Sequence, residues 1–119
     1  MICEPTHPLS QPTRLAIMII LVSRGKIVFS TLQKILQLTP GNIDSHTKRL
    51  ERAGYVKIKK GFVGGAPRTV IVITDEGYHS TMLYIFRLKR ALDDVIKQHS
   101  YPLGSRNITL NLNSTRDSF

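Results

Sequence analysis

A chain of 119 residues, 41% of them hydrophobic, has the length of one domain and can bury enough surface to fold without disulfides or a structural metal. Its net charge of +9 and pI near 10.1 call for a polyanionic partner. The lone cysteine, Cys3, excludes an internal disulfide and fits a reducing compartment. The apolar run Leu15–Val22 is far short of the about 18 residues that span a bilayer, so no membrane partner is expected. Ser23-Arg24-Gly25-Lys26 follows that run without a small-residue cleavage site, so no secretory leader is expected either. The two sequons, at Asn107 and Asn113, are then idle, and a cytoplasmic location is expected.

Residues 1–11, with Pro5, Pro8 and Ser10, form an expected amino-terminal arm. Ser10 as cap and Pro12 in a first turn predict a helix from about Gln11 to Ser23. That helix is apolar on nearly every side and so should be buried on more than one, with Ile17 and Ile20 set against a second subunit. Gly25 ends it, Ile27-Val28-Phe29 reads as a short strand, and Ser30 caps a brief helix, Thr31–Gln37, with Leu32, Ile35 and Leu36 inward. After the turn at Leu38, Thr39 as cap and Pro40 as first residue start a helix to about Ala53, closed by Gly54 in the left-handed conformation. Tyr55–Lys60 alternates as a half-buried strand, and Thr69–Ile73 is apolar on both faces, which suits the centre of a sheet between the Tyr55 and Ile27 strands. Gly61–Arg68 between them reads as a projecting hairpin loop with little bulk at its tip. Thr74 caps a last helix over 75–98, with Asp75 and Glu76 favouring its amino end. Its seam of Thr81, Ile85, Leu88, Leu92 and Val95 runs past what a small core can cover, so its distal half should pack on a partner. The tail 100–119 carries no helix signal; Ile108, Leu110 and Leu112 alternate as in a strand.

The chemistry concentrates in residues 40–68, where seven basic residues stand against two acids and so carry over half of the net charge. On the Pro40–Ala53 helix a step of about 100° per residue places Ile43, Thr47 and Leu50 on one stripe. Gly41, Ser45, Lys48 and Arg52 fall opposite, flanked by Asn42 and Arg49. This is the pattern of a helix that reads base edges through its first turns and holds phosphates with flanking charges. Asn42 suits adenine, Arg49 guanine and Ser45 several bases, whereas Lys48 and Arg52 suit phosphate. Gly41 permits close backbone approach, and Thr39 leaves helix N–H groups near a phosphate. Lys59, Lys60 and Arg68 would bring the hairpin to the minor groove or backbone. His46 lies about 60° from the apolar stripe, where a nucleic-acid contact and a structural imidazole are equally open.

Three segments carry a resemblance. Asn42-Ile-x-x-His46-x-x-x-Leu50-Glu-x-Ala-Gly-Tyr-Val56, Gly61-Phe-Val-Gly-Gly-Ala-Pro-Arg-Thr69 and Ile73-Thr-Asp-Glu-Gly77 together resemble the small winged-helix transcriptional regulators related to the MarR and ArsR groups of archaea and bacteria. The resemblance spans residues 12–96. It implies an α+β winged helix-turn-helix domain, a three-stranded antiparallel sheet and a long carboxy-terminal dimerisation helix. It also implies a homodimer on double-stranded DNA, with Asn42, Ser45, His46 and Arg49 as groove contacts and residues 60–68 as the wing. The wing departs from the family pattern at Gly65 and Ala66, where further arginines are common.

Other classes find little support. The chain has no phosphate-cradling glycine loop and no ordered Ser/His/Asp set, so no enzyme is expected. Cys3, His7, His46, His79 and His99 lack ligand spacing, so no metal and no other cofactor is expected. Asp93-Asp94 reads as a solvated face or an intersubunit pair. A small-molecule effector near Tyr78, Met82, Tyr84 and Phe86 is unsupported, since core packing accounts for those residues. The rival to DNA is a winged-helix module used for protein–protein or RNA contacts; such a module would more often carry apolar or acidic residues where this chain has Gly, Asn, Ser, Lys and Arg.

Overall fold

The computed structural model describes residues 6–99. Cys3, the sequons and the tail with its alternating Ile108, Leu110 and Leu112 lie outside the described residues. A short 3-10 turn, Pro8–Ser10, leads into α1 (Pro12–Arg24), β1 (Lys26–Val28), α2 (Phe29–Leu36), α3 (Pro40–Arg52), β2 (Val56–Val63), β3 (Ala66–Ile73) and α4 (Asp75–His99). The strands form one antiparallel sheet in the order β1-β3-β2, so β3 is central as expected. The architecture is the α+β winged helix-turn-helix. A compact unit ends at Ile85, inside α4; the described residues from Phe86 to His99 belong to a second unit.

The first unit is organised by a core of Leu9, Ile17, Met18, Leu21, Leu32, Ile43, Leu50 and Ile71, all at most 1% exposed. α1 supplies three of these from adjacent turns, which is why its sequence is apolar around most of its circumference. Ile17 is therefore wholly enclosed within its own protomer and has no surface to offer a second subunit, contrary to expectation. Its neighbour Ile19 is the α1 residue left 46% exposed. Ile20 is half-buried.

Two caps differ from the sequence reading. The Ser10 hydroxyl donates to the His7 carbonyl at 2.7 Å and closes the 3-10 turn, so the Gln11 side chain accepts from the Arg14 N–H at 2.8 Å and caps α1 instead. α2 follows β1 without a spacer: Val28 still pairs with Val70 while Phe29 is already helical, so Ser30 falls inside the helix and α2 has no side-chain cap. On α2, Leu32 is buried but Ile35 is 43% exposed and faces outward.

The turn into α3 passes through Gln37, which holds a left-handed φ of 54° while its N–H returns to the Gln33 carbonyl. Thr39 then caps α3, accepting from the Asn42 N–H at 3.2 Å, with Pro40 first in the helix. Gly54, at φ 83°, ends it as expected. Thr74 does double duty at the start of α4: its hydroxyl accepts from the Gly77 N–H at 2.9 Å and donates to the Gly54 carbonyl at 2.6 Å. The ends of α3 and α4 are thereby tied across the strands between them.

The predicted projecting loop is a β ribbon. β2 and β3 stay paired from Val56↔Ile73 out to Val63↔Ala66. Gly64 and Gly65, at φ 60° and 80°, form a two-residue turn that matches the twist of the flanking strands. Nor is the ribbon without bulk, since Phe62 stands 79% exposed beside the turn. On β3 only Ile71 is fully buried; Val70 and Val72 are half-buried on the other face.

Candidate nucleic-acid interface

The inward stripe of α3 is Ile43, Thr47 and Leu50, each at most 1% exposed. Thr47 survives there because its hydroxyl donates back to the Ile43 and Asp44 carbonyls at 2.9 and 3.1 Å. With that stripe anchored, Gly41, Asn42, Ser45, Lys48 and Arg52 are exposed together on the other side. The Asn42 and Ser45 side chains have no partner among the described residues, so their hydrogen-bonding groups face water. A Cβ built on Gly41 meets nothing within 4 Å, so the protomer itself does not require glycine there.

Two members of the predicted set are not free charges. Lys48 pairs with Asp44 at 3.1 Å, an exposed i,i+4 contact of small worth that a phosphate can displace. Arg49 is half-buried, and its charge acts on Arg14 of α1.

Arg14 escaped sequence reasoning altogether. Its Nε donates to the Pro8 carbonyl at 2.7 Å, and its Nη1 lies 3.4 Å from His46 Nδ1. Burial, followed by the neighbouring Arg49 charge, lowers the Arg14 pKa. Burial, followed by Arg14, lowers that of His46. The imidazole is thus held neutral and half-buried, with Nδ1 as acceptor towards Arg14. A single sequence signal pointed this way: Arg14 is the one charged residue in the first two turns of an otherwise apolar helix.

His46 has a measurable consequence. Because the folded state lowers its pKa, the native protein takes up this proton less readily than the unfolded chain. The associated stability is full above the ordinary histidine value of about 6.5 and is lost as pH falls through and below it. Thermal melting of the parent should therefore drop more between pH 7.5 and 5.5 than that of His46→Gln. Equal drops would show that the imidazole gains no proton on unfolding.

On the ribbon, cross-strand register sorts the cations by face. Lys57 and Lys59 alternate with Val56 and Ile58, and Gly61↔Arg68 places Arg68 on the same face as these two lysines. Lys60 pairs with Thr69 on the opposite face, the one that also carries Phe62. Lys26, opposite Val72, extends the Lys57 face onto β1 and is a further cation the motif reading did not single out. Lys59 and Lys60 are exposed, and among the described residues Arg68 donates only to the adjacent Pro67 carbonyl, at 3.0 Å.

Residues 13–92 match the winged helix DNA-binding domain family. The chain belongs to that family. A solved chain from Pyrococcus horikoshii OT3, described as a transcriptional regulator homologue, is 46% identical; the match covers 76% of this chain and 90% of that one, with a TM-score of 0.72. An uncharacterized protein of Methanocaldococcus jannaschii is 35% identical over 75 residues, 63% of this chain and 82% of its own length. A MarR family protein from Bacillus stearothermophilus shares the fold at 18% identity and a TM-score of 0.70, covering 98% of this chain and 79% of that one. Among the described residues, no helix is long and apolar enough to cross a membrane, and no group of His, Cys, Asp or Glu is placed to hold a metal ion.

Proposed function

We propose that this winged-helix chain is a homodimeric, sequence-specific regulator of transcription that binds double-stranded DNA in the cytoplasm and catalyses no reaction. α3 enters the major groove, and the β2–β3 ribbon lies along the adjacent minor groove or backbone. One observation carries this reading: α3 presents Gly41, Asn42, Ser45, Lys48 and Arg52 to solvent from a rod fixed by three buried residues. Asn42, Ser45 and Arg49 supply base contacts; Lys48, Arg52, Lys59, Lys60 and Arg68 supply phosphate contacts. Phe62 gives the ribbon an apolar tip of the kind that wedges into minor grooves.

Support for the dimer comes from α4, where Phe86, Leu92, Val95 and Ile96 are each more than half exposed, an apolar excess unusual for a helix that remains in water. Ile85 and Leu88 on the same helix are half-buried. A homodimer of this kind calls for DNA half-sites about one helical turn apart, on the order of 10 base pairs.

The phosphate contacts are tested by salt. Replacing Lys60 or Arg68 with glutamine should weaken binding to all duplexes by the same factor. Each change should also reduce the slope of log K against log salt by about 0.9. Parental slopes in both variants would remove the ribbon from the interface.

A further inference from the structure

Arg14 belongs to α1, outside both the helix-turn-helix and the wing, yet it is drawn to the flank of α3. Three features of its surroundings bear on what it does. Its guanidinium is fixed on two sides, by the Pro8 carbonyl at 2.7 Å and by His46 Nδ1 at 3.4 Å. Its Nη2 edge has no partner among the described residues. Finally, the charged and titratable groups around it are Arg49 and His46 of α3, and among the described residues no carboxylate pairs with any of the three.

Two guanidinium groups held near one another without an acid repel. A fold that needed only a tie between α1 and α3 would be better served by an apolar pair or an ion pair. The arrangement makes sense when an anion completes it, because a planar guanidinium with a free edge matches a phosphate oxygen pair. We propose that Arg14, held by the His46 acceptor, is a backbone-phosphate clamp for duplex DNA, seated beside the base pair that Arg49 reads. This rests on the DNA-binding reading above and extends it: α1 contributes a fixed contact that sets the depth and angle of α3 in the groove. Free inorganic phosphate has the same oxygen chemistry, so the test separates the two sources.

The experiment compares the full chain with Arg14→Gln and Arg14→Lys on a duplex selected from random sequence and on an unrelated duplex, across 50–300 mM KCl (concentrations on the order used for counterion-release slopes). Arg14→Gln should weaken both duplexes by the same factor, about 3- to 10-fold, and lower the salt slope by about 0.9; Arg14→Lys, which keeps the charge, should keep the slope. His46→Ala, which removes the acceptor, should weaken both duplexes, and His46→Gln, which supplies one, should recover them. Side-chain NMR of Arg14 in the parent protein needs no variant: its Nε–H signal should move on adding duplex and remain still in millimolar inorganic phosphate. An unchanged salt slope for Arg14→Gln, or an Arg14 signal that saturates with inorganic phosphate while ignoring duplex, would overturn the clamp. A parent that binds no duplex at all would instead overturn the DNA-binding reading itself, which keeps the two failures apart.

Discussion

The double variant Asn42→Ala/Arg49→Ala is expected to bind a selected operator no better than unrelated DNA. Each residue offers a bidentate pair to one base, adenine for Asn42 and guanine for Arg49, and each such pair discriminates by about 1–3 kcal/mol. Losing both costs about 2–6 kcal/mol, or roughly 30-fold to 20,000-fold in affinity for the operator. The fold should be indifferent to the change. The Asn42 side chain is exposed and has no partner among the described residues, and Arg49 stands beside the like charge of Arg14, so its removal relieves repulsion. Binding to unrelated duplexes should fall much less, by what one lost cation contributes. Competition titrations with operator and mixed-sequence duplex check the ratio directly, and a preserved ratio would mean that bases are read elsewhere.

The second large effect is on stability. Gly77→Ala should lower the melting temperature by more than about 10 °C, corresponding to a loss of about 3 kcal/mol or more. Gly77 is buried in the first turn of α4 with an ordinary helical backbone, so conformational freedom is not the reason for glycine. A Cβ at that position would overlap the carbonyl oxygen of Tyr55, which is backbone and cannot rotate away. That carbonyl also accepts the Thr74 N–H at 3.0 Å, and the Thr74 hydroxyl is bound to Gly54 at 2.6 Å. Any shift of α4 that makes room must therefore loosen the joint holding the end of α3. Gly41→Ala is the matched control: its Cβ meets nothing within 4 Å, and alanine should stabilise the helix by about 0.5–1 kcal/mol. Equal melting for Gly77→Ala and the parent would show that α4 is not seated as described.

Much of the fold was legible because local chemistry decides it. Thr39-Pro40, Gly54 and Thr74 act through their own neighbours along the chain, and each does what its residue type predicts. The alternation in β2 and the apolar run in β3 likewise placed the strands correctly. The errors arise where two local options compete or where tertiary contact decides. Ser10 and Ser30 are both competent caps, but one hydroxyl is taken by His7 and the other follows a strand that passes straight into helix. The stretch 61–68 reads as a projecting hairpin loop, whereas only Gly64 and Gly65 make the turn, and pairing runs up to both sides of it. Ile17 and Ile19 are indistinguishable by composition; the packing of α1 alone buries one and leaves the other at the surface. Arg14 meets His46 across 32 positions of sequence, a distance over which no spacing rule operates.

In the proposed complex the outer face of α3, backed by the basic ribbon, docks on duplex DNA. Titration of a fluorescent mixed-sequence duplex at low salt tests this most directly. Saturable binding is expected, with log K falling linearly with log salt at a slope of magnitude about 5 or more, as follows if six or more phosphates are neutralised. No binding at low salt, or binding that ignores salt, would contradict it.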